Sequence, residues 1–172
     1  MADTSLLTPA PGASDSAPSS AKAQLEAVVN SGAKWFYWIA GLSLVNTALS
    51  FFGSDRRFVI GLGLPEVVDA IAKEEEAGGG VVNLSLDLLI VGMFVFFGYK
   101  ACQRSKAAFL TGMIVYVLDA GLLLLGEEYF SVAFHGLALI YIFKGFSANN
   151  KLRALESASI AAGLSPAPLK PE

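Results

Sequence analysis

The sequence is poor in the residues on which many enzymes and metal proteins depend. It contains one cysteine, Cys102, and one histidine, His135. A single cysteine excludes an intramolecular disulfide and a cysteine-based metal site, and a single histidine excludes bis-histidine haem within one chain. Charged residues are also scarce: they make up 16% of the chain, whereas a soluble domain usually has about a quarter. The net charge of −3 gives no indication of nucleic-acid binding.

No familiar catalytic or nucleotide-binding motif occurs. The chain has no GxSxG nucleophile elbow, no HExxH zinc motif, no Walker loop and no dinucleotide fingerprint. Ser131 and His135 lie one helical turn apart, but nothing beside them provides an oxyanion site. We therefore predict that the protein is not an enzyme and has no cofactor.

Hydrophobic residues make up 54% of the chain, and most of them fall in four long runs. These runs cover about residues 35–52, 81–99, 107–125 and 129–146. A helix needs about 20 apolar residues to cross a bilayer, and the shorter fourth run is extended by Lys144, whose side chain can reach the interface. Trp35, Tyr37 and Trp38 crowd one end of the first run, as in aromatic belts. The sequence predicts an all-α polytopic membrane protein, an antiparallel four-helix transmembrane bundle over residues 24–146.

Three further segments are polar or mixed. Residues 1–23 are rich in Ala, Ser and Pro without an apolar period, which predicts a disordered cytoplasmic tail. Apolar residues from Leu64 to Ile71 follow helical spacing, which predicts a short amphipathic extracytoplasmic surface helix at residues 65–76. Residues 147–172 predict a cytoplasmic C-terminal tail that is partly helical.

The distribution of lysine and arginine predicts the orientation. With both termini in the cytoplasm, nine basic residues lie inside and three outside, as the positive-inside rule requires. Inside are Lys22, Lys34, Lys100, Arg104, Lys106, Lys144, Lys151, Arg153 and Lys170, and outside are Arg56, Arg57 and Lys73. We expect a multi-pass protein of the plasma (inner) membrane.

Each apolar run carries one strongly polar residue at a similar distance from the same side of the membrane. These residues are Asn46, Asp87, Asp119 and His135, with Tyr116 one turn from Asp119. If the helices alternate in direction, all four lie at one depth, about 10 Å inside the outer face at 1.5 Å per residue. Polar groups in hydrocarbon are costly and need partners, so we predict one intramembrane polar cluster formed by these five residues.

Three interpretations of this cluster remain open. The simplest is that its members hydrogen-bond one another and fix the register of the helices. The second is a proton or cation site open to the outside, because intramembrane carboxylates and histidines recur in proton relays. The third is a metal site built from Asp87, Asp119 and His135 with Glu66, although the i, i+3 or i, i+4 ligand pairs typical of helices are missing. We predict that the cluster does not bind a metal ion.

The stretch WFYWIAGLSLVN and the pair YVLDAGLLLL and FHGLALIYIFKG resemble small bacterial four-span membrane proteins of unassigned function. The resemblance covers about residues 34–146. It implies a fold and a compartment, and it implies no functional residue.

The functional prediction is correspondingly general. We expect a non-enzymatic integral membrane protein, an accessory or scaffold unit of a membrane assembly. Its partners would be the lipid bilayer and other membrane proteins or a second copy of itself, and no nucleic acid. The alternative is a small proton- or cation-coupled transporter or sensor that uses the intramembrane Asp/Asp/His layer.

Overall fold

The computed structural model describes residues 16–51 and 79–163, and these residues form four α-helices. The helices are α1 (Ser16–Phe51), α2 (Gly79–Cys102), α3 (Lys106–Leu125) and α4 (Tyr129–Ala161). The prediction of an all-helical protein is confirmed for this part of the chain. The surface helix predicted at residues 65–76 lies outside the described residues, as do the two ends of the chain.

Two helices are longer than the sequence suggested. Helix α1 begins at Ser16, inside the segment predicted to be disordered, and continues without a break through the first apolar run. Helix α4 likewise continues from the fourth apolar run to Ala161, where a partly helical tail was expected. The reason is packing, because Val29 and Ala33 on α1 and Leu152 on α4 are buried in the helix interfaces. Buried apolar contacts of this kind stabilise a helix beyond its intrinsic propensity.

The four helices pack as an antiparallel bundle. Helix α1 contacts α2 and α4, and α3 contacts the same two helices from the opposite side. The α2–α3 connection is a tight turn in which Arg104 has a φ of 64° and Ser105 caps α3 by accepting a hydrogen bond from the Ala108 backbone N–H. The α3–α4 connection is residues 126–128, with Glu127 at a φ of 61°. Such short turns force neighbouring helices to run antiparallel.

Aromatic side chains fill the centre of the bundle. Phe36 of α1 lies within 6.1 to 6.4 Å of three other rings, which are Phe94, Phe97 and Phe109. Phe94 also meets Tyr116 edge to face, at 5.9 Å between centroids. Tilted and edge-to-face contacts of this kind are the favoured geometries for aromatic pairs. Phe146 of α4 packs on Phe109 at 6.3 Å, so all four helices contribute rings to this cluster.

Glycines allow the closest helix contacts. A Cβ atom placed on Gly32 would lie 2.6 Å from the Gly145 Cα, so the backbones of α1 and α4 touch at this point. A Cβ on Gly112 would lie 2.5 Å from the Phe36 ring. Small residues at crossing points are typical of helices that pack in lipid.

Large apolar side chains cover the outside of the bundle. Leu89, Leu118, Leu125, Phe130 and Phe143 are each at least 60% exposed. Three helices, α2, α3 and α4, are long and apolar enough to cross a membrane, the relevant part of α2 being residues 84–102. Within the described residues α1 does not reach that criterion.

One end of the bundle is extended by the long helices. At 1.5 Å per residue, the 36 residues of α1 and the 33 residues of α4 measure about 54 Å and about 50 Å, against a hydrocarbon thickness of about 30 Å. The start of α1 and the end of α4 project together beside the α2–α3 turn. Lys22 on α1 lies 4.0 Å from the Glu156 carboxylate on α4, which marks this pairing.

Candidate functional site

Asp119 and His135 form the centre of the candidate site. Asp119 lies less than two turns before the end of α3, and His135 lies less than two turns after the start of α4. Because the two helices form a tight antiparallel hairpin, these positions face each other at one level. The imidazole Nε2 is 2.8 Å from the Asp119 Oδ2, and the two side chains are 1% and 0% exposed. The pair is therefore sealed inside the bundle.

The second ring nitrogen of His135 limits where the protons can be. Nδ1 lies 2.8 Å from the backbone carbonyl oxygen of Ser131, one turn earlier on α4. A carbonyl oxygen only accepts hydrogen bonds, so Nδ1 carries a hydrogen and donates it. The Nε2–Oδ2 bond then contains one proton, held either by an imidazolium facing a carboxylate or by a carboxylic acid facing a neutral imidazole. Both arrangements leave the pair with no net charge, which suits an apolar interior.

Tyr116 fixes the plane of the imidazole. Its ring stacks on the His135 ring, with 4.1 Å between centroids and 19° between planes. Tyr116 precedes Asp119 by three residues, so the two side chains share one face of α3 and hold His135 from its face and from its edge. Phe94 of α2 packs against the other side of this arrangement through its edge-to-face contact with Tyr116. The imidazole is thus held in one orientation by three helices.

A second buried pair joins the other two helices. The Thr47 hydroxyl on α1 donates a hydrogen bond of 3.0 Å to the Asp87 Oδ2 on α2, and both residues are buried. Ser43, one turn before Thr47, is also buried and donates to the Ile39 carbonyl of its own helix. Asn46 is half-buried beside Thr47. A polar interface between α1 and α2 therefore accompanies the pair between α3 and α4.

The structure places most of the predicted site residues in buried contacts between helices. It brings Asp119, His135 and Tyr116 into direct contact, and it bonds Asp87 to Thr47. Sequence reasoning missed Thr47 and the Ser131 carbonyl. A signal for Thr47 was present, because it follows Ser43 by four residues on the face that carries the polar stripe of α1. No sequence signal points to the Ser131 carbonyl, since every residue has one.

A metal centre finds little support in this part of the chain. Among residues 16–51 and 79–163, no group of three or more His, Cys, Asp or Glu side chains is placed to hold an ion. Glu66, the fourth ligand considered for such a site, lies outside the described residues. Asp119 and His135 already use the facing atoms Oδ2 and Nε2 on each other.

A second group of charged residues lies at the other end of α4. The Arg104 guanidinium donates two hydrogen bonds, of 2.9 and 2.7 Å, to the two carboxylate oxygens of Glu156. Asn149 and Arg153 of α4 both donate to the Arg104 carbonyl oxygen, at 3.0 and 2.8 Å. The hydrogen bonds from Arg104 hold the pKa of Glu156 below its usual range. This group, which we call the turn clamp, fixes the α2–α3 turn to the projecting part of α4.

Comparison with known proteins gives no further guide: no protein-family model, no curated protein and no solved structure matches this chain.

Proposed function

We propose that this protein is a multi-pass integral membrane protein in which all four helices span the bilayer and the Asp119–His135 pair acts as an internal helix clamp. The observation that supports the proposal is that polar side chains are buried in the bundle while large apolar side chains are exposed on its surface. An ionisable pair, Asp119 and His135, is buried inside the bundle, while large apolar side chains such as Leu125 cover the outside. A folded protein in water exposes few contiguous apolar patches of that extent, whereas a protein in lipid needs them.

The proposal counts α1, which contains the first apolar run, as a span in addition to α2, α3 and α4. Residues 35–51 of α1 pack lengthwise between α2 and α4, both of which are apolar enough to cross a membrane. A helix in that position must cross the same thickness of hydrocarbon as its neighbours. Its polar residues Ser43 and Thr47 are buried against the bundle, while Trp38, Leu44 and Val45 face outward. The outward face of α1 is therefore as suited to lipid as those of the other helices.

The orientation follows from the basic residues. Lys100, Arg104 and Lys106 surround the α2–α3 turn, and the projecting ends of α1 and α4 lie at the same end of the bundle. By the positive-inside rule this end faces the cytoplasm of a cell whose plasma (inner) membrane holds the protein, with both chain termini there. Reporter fusions test this proposal. A fusion at Gly163 should report the cytoplasm and a fusion at Gly79 the opposite side, and the same side for both would contradict four spans.

The role that suits this architecture is that of an accessory or scaffold unit without enzymatic activity. Asp119 and His135 bind each other and are closed to solvent, so what the protein offers to its surroundings is its apolar outer surface and its projecting helix ends. Purification in a mild detergent, followed by identification of copurifying proteins, tests the role. A stoichiometric membrane protein or a second copy of the chain supports it. Recovery as a monomer without any partner would contradict it.

A proton-coupled transporter or sensor is the second candidate, and one observation favours it. The hydrogen bond from Nδ1 to the Ser131 carbonyl leaves a single proton in the bond between His135 and Asp119, which is the kind of group that a proton relay needs. Reconstitution into liposomes that contain a pH-sensitive dye tests this candidate. Proton entry that disappears in Asp119→Asn would support the transporter. If protons do not enter with the unaltered protein, the transporter is contradicted and the pair has only the structural role of holding α3 to α4.

A further inference from the structure

We propose that one anionic phospholipid binds on the outer surface of the bundle where α1 meets α4, with its headgroup at Lys144 and an acyl chain along Trp38 and Leu137. The inference rests on the proposed four-span arrangement, which places this surface in the cytoplasmic leaflet. It adds a site and a class of ligand to that arrangement. We call the surface formed by Trp35, Trp38, Leu137, Tyr141 and Lys144 the aromatic seam.

Aromatic rings of α1 and α4 are in direct contact at this surface. The Trp35 ring of α1 stacks on the Tyr141 ring of α4, with 4.9 Å between centroids and 14° between planes. Trp35 also meets the ring of Phe134, seven residues before Tyr141, at 6.3 Å between centroids. One tryptophan therefore bridges two positions of α4, and the side chains of the two helices form a continuous surface.

Lys144 is held against this stack. Its Nζ lies 5.2 Å from the centroid of the Tyr141 ring, three residues earlier on α4, and the residue is exposed. An ammonium over the face of an aromatic ring is attracted by the ring electrons, which holds the charge in place. The positive charge, Tyr141 and Trp35 thus form one ordered group that joins two helices.

The residue types of the seam are those found at the depth of lipid headgroups. Trp38 follows Trp35 by three residues, so the two tryptophans share one face of α1, and Trp38 is 64% exposed. Tyr141 is also exposed. Tryptophan and tyrosine are enriched at this depth because one end of each ring is apolar and the other polar. The Lys144 ammonium beside them therefore lies within reach of a lipid phosphate.

Toward the middle of the bilayer the seam continues as an apolar surface. Leu137 precedes Tyr141 by four residues and is exposed, so it lies one turn deeper on the same face of α4. Trp38 lies about one turn deeper than Trp35, because α1 runs away from the cytoplasmic end of the bundle. Both side chains lie below the headgroup position, which is the place of an acyl chain.

A hydroxyl group flanks the headgroup position on the α1 side. The backbones of α1 and α4 touch at Gly32 and Gly145, and Ser31 and Lys144 are each the residue before that contact. Ser31 is exposed and precedes Trp35 by four residues, so it belongs to the same face of α1. A hydroxyl donor and an ammonium therefore lie at similar levels on the two sides of the seam.

Charge selects the kind of lipid. In the part of the chain that the structure describes, no carboxylate forms an ion pair with Lys144. The two glutamates at this end, Glu26 and Glu156, pair with Lys22 and Arg104 instead. A basic residue near an anionic leaflet contributes about 1 kcal/mol, which corresponds to about a fivefold change in affinity. The Lys144 ammonium therefore favours an anionic headgroup over a zwitterionic one.

Lys100 of α2 provides a matched control at the same end of the bundle. Its Nζ lies 5.9 Å and 5.8 Å from the centroids of the Phe96 and Tyr99 rings. Both of these rings belong to the same helix as Lys100, whereas the ring under Lys144 is stacked on a tryptophan of another helix. The two lysines thus have the same charge and the same kind of ring contact, and only Lys144 belongs to the aromatic seam.

Tryptophan fluorescence reports binding directly, because the two tryptophans of the chain, Trp35 and Trp38, both belong to the seam. Phosphatidylglycerol with brominated acyl chains, titrated into the full chain in a mild detergent, should quench this fluorescence. Brominated phosphatidylcholine should need a higher concentration for the same quenching. Unbrominated phosphatidylglycerol should reverse the quenching by displacement, and inorganic phosphate should not.

Substitutions at the two lysines test the headgroup position. In Lys144→Gln, the apparent affinity for phosphatidylglycerol should fall by about fivefold, because one cation is lost. Lys144→Arg keeps the charge and should bind as the unaltered protein does. Lys100→Gln removes the same charge outside the seam and should also leave the affinity unchanged.

Three results would overturn the proposal. They are equal quenching by the two brominated lipids, reversal by inorganic phosphate, and an equal loss of affinity in Lys100→Gln and Lys144→Gln. The titration is made in detergent, where the protein has no inner and outer side, so its outcome does not depend on the reporter fusions. Failure of the lipid site and failure of the four-span arrangement can therefore be told apart.

Discussion

Two side-chain pairs in this bundle have similar distances in different surroundings. Asp119 and His135 are 2.8 Å apart, and their side chains are 0% and 1% exposed. Arg104 and Glu156 are 2.7 Å apart, and their side chains are 29% and 34% exposed. The inner pair joins two helices within the apolar part of the bundle, and the outer pair belongs to the turn clamp where water has access. Distance alone does not distinguish them.

The difference in burial decides what each pair contributes. At the surface, an ion pair typically contributes between 0 and 1 kcal/mol, because water and salt compete with it. In the interior, the pair itself adds little over apolar packing, but removal of one partner leaves the other buried without compensation. The inner pair therefore acts mainly as a constraint on which helices can meet. The turn clamp acts as an adjustable surface contact.

The largest expected effect follows from breaking the inner pair. In Asp119→Leu, the Nε2 atom of His135 loses its partner while the imidazole stays beneath Tyr116. We expect the free energy of unfolding to fall by roughly 2 to 4 kcal/mol. This loss is smaller than the largest losses measured when one partner of a buried pair is removed from a soluble protein, because the polar groups of unfolded helices in a membrane find other partners. Reversible unfolding in mixed micelles, followed by circular dichroism, measures the loss.

Asp119→Asn is the matched control for this prediction. An amide can donate to Nε2 while Nδ1 continues to donate to the Ser131 carbonyl, so the bond between α3 and α4 remains. We expect the Asn variant to retain most of the stability that the Leu variant loses. Equal losses in the two variants would show that the charge of Asp119, rather than its hydrogen bond, holds the helices.

The inner pair shows how far the sequence could lead. Asp119 and His135 stand out as ionisable residues in apolar runs, and the turn at residues 126–128 places them at one level on adjacent helices. Burial in lipid leaves such residues few options, so their contact was predictable. The partner of Asp87 was not, since several hydroxyls lie on the same stripe of α1 and only the rotation of the helix selects Thr47. Five residues were predicted to form one cluster, and the contacts described above join Asp119, His135 and Tyr116 with one another and Asp87 with Thr47.

The start of α1 shows where sequence reasoning failed. The segment after Ser16 is rich in alanine and serine, and nothing in its local pattern distinguishes it from a loose tail. Its helical state follows from a distant partner, because α4 continues to Ala161 and the backbones of Gly32 and Gly145 touch. Contacts between residues so far apart in the chain cannot be derived from periodicity. The turn clamp escaped prediction for the same reason.

The second effect concerns the crossing of α1 and α4, which lies on α4 between His135 and Glu156. In Gly32→Ala, the added Cβ would stand 2.6 Å from the Gly145 Cα, so the two backbones must separate. Overpacking of this kind typically costs 1 to 3 kcal/mol, and we expect a loss of about 2 kcal/mol in the same unfolding experiment. Gly136→Ala is the control, because its Cβ would meet nothing within 4 Å. A stable Gly32→Ala variant would mean that the contact of α1 with α4 is looser than described.

The smallest effect belongs to the turn clamp and appears as a dependence on pH. Arg104 lowers the pKa of Glu156 in the folded protein below its usual value of about 4.3. A carboxylate with a lowered folded pKa stabilises the fold above its unfolded pKa, and this contribution is lost as the pH falls through the folded pKa. We therefore expect stability to be level from neutral pH down to about pH 5 and to decline below about pH 4.3 through this group, by less than about 1 kcal/mol.

Glu156→Gln isolates that contribution and completes the comparison with the inner pair. The amide has no carboxylate to be protonated as the pH falls, so the variant should lack the acid-dependent part of the loss and should be slightly less stable at neutral pH. High salt should reduce the difference between the variant and the unaltered protein, because it screens an exposed pair, whereas the loss in Asp119→Leu should hardly change with salt. If the effect of Glu156→Gln did not change with salt, the turn clamp would be shielded from solvent ions as the buried pair is, which would contradict this prediction.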